Sequence, residues 1–183
     1  MEIEVKAKID NVEEIRNRIK TIGGKLVFKG LIRDFSLDYE NKTFQKGDYV
    51  FRIRLFENGE GKITFKGPKK ADKRYKVREE IEVHVSDGFN AIKIFEHLGF
   101  KKVFRVDRIR EIYEFKNKEV RVMLDTFPEI GSFIEVEGER EDIEDIIKKL
   151  KIDRLCFSTR TLKHYVEEFR KKFGRDPQLT FDD

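Results

Sequence analysis

Paired carboxylates two residues apart recur in this chain at Glu2-Ile3-Glu4, Glu80-Ile81-Glu82 and Glu135-Val136-Glu137. Side chains at i and i+2 of a strand share a face, so each pair aims two negative charges at one place. Positive charge is doubled in the same manner at Arg52 and Arg54, at Arg108 and Arg110, and along one strand at Lys62 and Lys66. Paired hard oxygen donors suit Mg2+ or Mn2+. Guanidinium forks and ammonium point charges suit a run of phosphates. The chemistry in prospect is a polyphosphate held together with metal ions. The plainer alternative is that these are ordinary solvated strand faces. Against it stands the sorting of sign by strand, since like charges two apart on one face repel.

Alternation supplies the strands. Residues 2–9 set Glu2, Glu4, Lys6 and Lys8 against Ile3, Val5, Ala7 and Ile9. Asp10 as N-cap and Glu13 have capping-box spacing for a helix with the stripe Val12, Ile15, Ile19 and Ile22, stopped at Gly23-Gly24. Extended chain over 26–40 and a strand over 49–55 follow, and Asn58-Gly59 turns into a strand over 62–66. After a basic, breaker-led loop at 67–73, one strand is predicted over 75–85. A helix with Phe89, Ile92, Phe95 and Leu98 comes next, then strands over 102–115, 119–126 and 132–138. Ile143, Ile146, Ile147 and Leu150 mark a further helix, and Leu162, Tyr165, Val166, Phe169 and Phe173 mark the last, over 159–173.

The order is α+β, with hairpins between helices. Helices on the apolar strand faces leave the charged faces to meet water or one another. About eight antiparallel strands can close into a barrel whose lumen holds a small ligand. Unpaired ions in such a lumen would be prohibitive, but acids paired with bases, cations on the acids and an anion on the bases offset that penalty.

In order along the chain, Glu2-x-Glu4-x-Lys6, Arg52-x-Arg54, Thr64-Phe65-Lys66-Gly67-Pro68, Arg78-Glu79-Glu80 with Glu82, Arg108-x-Arg110, Leu124-Asp125 and Gly131 through Glu137 form a series. Over about residues 2–165 this series resembles the CYTH family, the triphosphate tunnel metalloenzymes, which include class IV adenylyl cyclases and thiamine triphosphatases. The resemblance implies an eight-stranded antiparallel β-barrel, a triphosphate tunnel with a charged interior and helices packed outside. It also implies divalent-metal-dependent chemistry on a small-molecule triphosphate, ATP or inorganic triphosphate, with two Mg2+ or Mn2+ ions. Glu2, Glu4, Glu135 and Glu137 would bind metal, with Glu80 beside them and Asp125 either binding metal or orienting a base. Lys6, Arg52, Arg54, Lys66, Arg108 and Arg110 would hold the phosphates, with Arg78 as a further tunnel residue. Lys6, Arg54 and Asp125 are the expected catalytic groups. Lys62 and Glu82 are either tunnel residues or mere ion-pair partners. Overall similarity leans toward the prokaryotic class IV cyclase branch, and dimers are common among relatives. Departures at Arg33 through Asp38 and at Ser158-Thr159-Arg160 bear on substrate choice.

Composition bounds the rest. The 183 residues fit one domain, 1–173, with a tail at 174–183 that lacks a core pattern and is expected to be mobile. A net charge of +4 against 42% charged residues does not by itself imply nucleic acid, and no nucleic-acid partner is expected. Rich Lys, Arg and Glu suggest a heat-adapted protein. A single cysteine, Cys156, excludes an internal disulfide framework and is expected as a small packing residue in a reducing cytoplasm. No apolar run approaches a membrane span, and charge from Glu2 onward argues against a signal peptide. Phe133 is expected to pack at the rim, not to stack on a base, and no histidine is expected to be a ligand. A non-catalytic triphosphate sensor is the competing class, disfavoured because bare anion binding gains nothing from carboxylates.

Overall fold

Nine strands form a single antiparallel sheet in the computed structural model, which describes residues 1–181. They are β1 (Glu2–Ile9), β2 (Lys25–Asp38), β3 (Val50–Phe56), β4 (Gly61–Lys66), β5 (Lys76–Arg78), β6 (Glu80–Val85), β7 (Lys101–Glu114), β8 (Val120–Phe127) and β9 (Gly131–Gly138). Their lateral order is β5-β1-β9-β8-β7-β2-β3-β4-β6. The two ends of this order, β5 and β6, are separated in the chain by Glu79 alone. The sheet therefore rolls into a nearly closed barrel whose seam is crossed by the backbone itself.

Alternation predicts one strand over 75–85 and eight in total; the chain divides that strand at Glu79. Lys76–Arg78 pairs with β1, whereas Glu80–Val85 pairs with β4 on the opposite side of the seam. A segment that serves two neighbours on opposite edges must bend between them, and side-chain alternation carries no trace of that bend.

Five helices lie outside the barrel: α1 (Val12–Thr21), α2 (Thr43–Lys46), α3 (Gly88–His97), α4 (Arg140–Leu150) and α5 (Leu162–Phe173). The outward residues Val5, Ala7, Val122, Leu124, Ile134 and Val136 are buried beneath Ile15 and Ile19 of α1 and Ile143, Ile146, Ile147 and Leu150 of α4. Phe51, Ile53 and Leu55 of β3 lie under Ala91 and Ile92 of α3. The strand and helix backbones meet at Gly61 and Gly88: a Cβ built on Gly61 would stand 2.7 Å from the Gly88 Cα. Tyr165 of α5 closes a third cluster with Val106, Phe127, Ile130 and Phe133. With the apolar faces covered from outside, the charged faces are left to line the lumen.

Local departures have local causes. The cap of α1 is Asn11, whose side chain accepts from the Glu14 N–H at 3.1 Å; Asn11 and Glu14 repeat the Asp10–Glu13 spacing one residue later. Helix α2 is too short for periodicity to reveal. Cys156 is exposed, in a 3₁₀ turn at Arg154–Cys156. Phe133 is 1% exposed and meets Tyr165 edge-on, with ring centroids 4.7 Å apart. The segment expected as a mobile tail makes specific contacts: Leu179 packs on the third cluster, the Asp107 N–H donates to the Leu179 carbonyl at 2.8 Å, and the Phe181 N–H donates to Asp107 Oδ2 at 3.2 Å. Asp182 and Asp183, the end of that segment, lie outside the described residues. Among the described residues, no helix is long and apolar enough to cross a membrane.

Candidate active site

The inward strand faces enclose one cavity of about 910 Å3. All the residues expected to bind phosphate or metal line it, together with Lys62 and Glu82, except Asp125. Asp125 is fully buried behind the arginines, directly opposite Arg110 in the β7–β8 register.

The basic wall runs from β3 across β2 to β7. Its centre is Asp34, a residue that the charge pairs did not single out. Asp34 Oδ1 accepts from Arg54 Nε at 2.8 Å, and Oδ2 accepts from Arg108 Nη2 at 2.6 Å. Arg52 Nη1 reaches the same Oδ2 at 3.4 Å. Burial alone would raise the Asp34 pKa, but the charges of Arg52, Arg54 and Arg108 hold it well below the usual carboxylate range. Beyond Arg108, Arg110 forks onto Asp125 and donates to Glu135 at 2.6 Å. The Nε atoms of Arg52, Arg78 and Arg108 are buried and make no hydrogen bond among the described residues. Arg108 Nε stands 3.4 Å from Asp125 Oδ2, so the four arginines of the wall, Arg52, Arg54, Arg108 and Arg110, draw on the few carboxylates Asp34, Asp125 and Glu135.

The acidic wall is built on β1, β6 and β9. Glu4 stands between Lys76 of β5 and Glu137 of β9 in the strand registers. The Lys76 ammonium pairs with Glu4, and Lys66 Nζ lies 2.8 Å from both Glu2 and Glu80. Lys6 pairs with Glu135. Glu137 makes no ion pair among the described residues. Burial, then the charges of Glu2 and Glu4, raise its pKa; burial and a hydrogen bond with Glu80 raise that of Glu2. Glu135 goes the other way, because Lys6 and Arg110 more than offset its burial.

Crowded hard carboxylates that resist ionisation are the donor set a divalent cation relieves, so the residues fit such an ion by their chemistry. Among the described residues, no three carboxylates or other ligating groups stand close enough to hold one, and the Lys66 and Lys76 ammoniums lie between them. Arg78 turns to the rim, where Nη2 donates to Asp48 Oδ1 at 2.7 Å and to the Asp48 carbonyl at 2.9 Å. Lys62 and Glu82 pair at 2.7 Å, so the ion-pair role holds for them while both still line the cavity.

Asp34 and Lys76 escaped the charge-pair argument because each belongs to a pair only through cross-strand register, Asp34 with Arg54 and Lys76 with Glu4. Parity was a signal for Lys76, which shares its face with Arg78, but not for Asp34, whose neighbours two residues away are Ile32 and Ser36.

The sequence model of the CYTH domain matches residues 1–165. A Methanocaldococcus jannaschii protein named "putative adenylate cyclase" is 36% identical over 151 residues, which cover 82% of this chain and 84% of that protein. The solved structure of a Vibrio parahaemolyticus protein, also named "putative adenylate cyclase", superposes with a TM-score of 0.79 at 19% identity, covering 91% of this chain and 97% of that one. A Hippeastrum protein, described as an adenylyl cyclase candidate with a dominant triphosphatase activity, superposes with a TM-score of 0.58 at 14% identity, covering 100% of this chain and 92% of that one. The last two likenesses are of fold.

Proposed function

The chain belongs to the CYTH domain family, and on that premise we propose that it is a divalent-metal-dependent enzyme that cleaves triphosphates. The observation that carries this reading is the opposition, within one lumen, of four clustered arginines, Arg52, Arg54, Arg108 and Arg110, and carboxylates that resist ionisation. Arg52, Arg54, Arg108 and Arg110 would clamp the phosphate chain, with Lys66 beside it. Glu2, Glu4, Glu80 and Glu137 would hold the cation, Mg2+ or Mn2+, with Glu135 bordering both sets; a second ion would share the same carboxylates. When bound, such an ion neutralises phosphate oxygens and lowers the pKa of an attacking oxygen. Lys6 and Arg54 would stabilise charge that builds on the oxygens around the reacting phosphorus. Asp125, with both oxygens on Arg110, would set the plane of that guanidinium.

Two outcomes suit this apparatus. Water attacking the terminal phosphorus breaks its bond to the bridging oxygen and gives diphosphate and phosphate. The ribose 3′-hydroxyl of ATP attacking the α-phosphorus gives cyclic AMP and pyrophosphate; the 36% identity to the Methanocaldococcus protein favours keeping this second reading. The deciding experiment incubates the protein with ATP or inorganic triphosphate and Mg2+ or Mn2+, and separates phosphate release from cyclic AMP formation. Tight binding without turnover of either substrate would overturn the enzyme reading in favour of a sensor.

A further inference from the structure

Asp34, at the centre of the basic wall, has no part in the chemistry assigned above. It is 2% exposed and lies on β2, opposite Arg54 of β3 on one side and Val106 of β7 on the other. Its two oxygens meet Arg54 at 2.8 and 3.2 Å, Arg108 at 2.6 Å and Arg52 at 3.4 Å. One carboxylate thus gathers three guanidiniums from the strands on either side of it. With every contact already an arginine N–H, it is poorly placed to ligate a cation or to take a proton from a nucleophile.

Without a negative charge at this position, three arginines, two of them buried, would face one another, and like charges repel more strongly where water screens them less. A phosphate chain would relieve that repulsion, but only while it is bound. Asp34 relieves it permanently, through one terminal nitrogen each of Arg52 and Arg108. Its bonds to Nε and Nη2 of Arg54 also fix the plane of that fork.

We propose that Asp34 is a positioning residue, a built-in anion that holds Arg52, Arg54 and Arg108 in the arrangement a phosphate chain requires before any phosphate arrives. The consequence for turnover rests on the triphosphate reading; the consequence for stability does not.

Asp34→Asn keeps the shape and removes the charge, and Asp34→Glu keeps the charge on a longer arm. Melting of wild type and both variants is followed with and without sulfate, and kcat and KM are measured with inorganic triphosphate. Asp34→Asn should lower Tm by about 10 °C in the absence of polyvalent anions, as expected when one partner of a buried ion pair is removed. Sulfate should restore most of that loss while moving wild type much less. Its kcat should fall about 10²-fold, the scale of misplaced reacting groups, with KM no higher than wild type. Asp34→Glu should keep the anion-independent Tm and lose turnover alone. A Tm loss that sulfate does not touch, an Asp34→Asn chain that folds in neither condition, or a raised KM with kcat retained would overturn the proposal. If wild type turns over no triphosphate, the enzyme reading fails, and the sulfate response still decides the role of Asp34.

Discussion

Glu4 and Glu137 face each other across β1 and β9, yet among the described residues Glu4 alone of the two forms an ion pair. Burial and the neighbouring Glu2 and Glu4 raise the Glu137 pKa above its ordinary 4.5, so the folded chain binds that proton more tightly than the unfolded chain. The stability this contributes is present below pH 4.5 and is lost as pH rises through the raised value. At neutral pH ionised Glu137 therefore works against the fold. Glu137→Gln should raise Tm at pH 7 by about 2–4 °C, a gain that disappears below pH 4.5, while metal-dependent turnover is abolished. Relief of repulsion would predict the same steadying for Glu4→Gln, but the Lys76 pair reverses it. Glu4→Gln leaves a largely buried ammonium without its partner and should lower Tm, and Lys76→Met in that background should recover the loss. Melting curves of the single and double variants at both pH values test the scheme; equal Tm changes for Glu4→Gln and Glu137→Gln would refute it. The charge pairs Glu2/Glu4 and Glu135/Glu137 were legible from spacing, whereas the opposite outcomes at Glu4 and Glu137 depend on which strand lies alongside, and spacing does not encode that.

Strand periods predicted the sheet, and the stripe of Leu162, Tyr165 and Val166 predicted the helix that caps the third cluster. What escaped was structure made by single contacts. Glu79 divides one apparent strand between two partners, and α2 lasts four residues. The segment after Gly174 is anchored by Leu179, by the backbone of Asp107 and by an Arg175–Glu129 pair at 2.6 Å. No period marks such anchors, and residues without a period read as loose chain. Truncation after Gly174 should lower Tm by about 3–6 °C, because Leu179 leaves an apolar cluster and the Asp107 N–H loses its acceptor. An unchanged Tm would show that these contacts hold nothing. A second element-level test lies where α3 meets β4. Gly61→Ala would drive a methyl to 2.7 Å from the Gly88 backbone, so α3 must lift from the sheet. The substitution should destabilise by about 1–3 kcal/mol in denaturant titrations, against no loss if the helix sits loosely.

At the scale of the whole molecule, the barrel stores its interior charge as opposed walls instead of neutralising it uniformly. The seam shows what this does for the fold: Lys66 of β4 bridges Glu2 of β1 and Glu80 of β6 at 2.8 Å, joining strands on opposite sides of the closure. The arginine wall sets Arg52, Arg54, Arg108 and Arg110 against Asp34, Asp125 and Glu135, the last shared with Lys6, so positive charge is in excess there. A ligand that fits the wall must therefore raise stability by mass action as well as bind. Inorganic triphosphate at about 100 times its Kd should stabilise by about 2.7 kcal/mol, or about 5–10 °C in Tm for a chain of this length. Orthophosphate at the same concentration should do much less, since one phosphate cannot meet Arg52, Arg54, Arg108 and Arg110 together. Arg54→Ala should remove most of the triphosphate shift by taking away a buried donor at the centre of the wall. Thermal melts of both proteins with the two anions measure this directly. Equal shifts for orthophosphate and triphosphate would mean that the lumen recognises a single phosphate, and an undiminished shift in Arg54→Ala would move the anion off the wall on which the proposed chemistry is built.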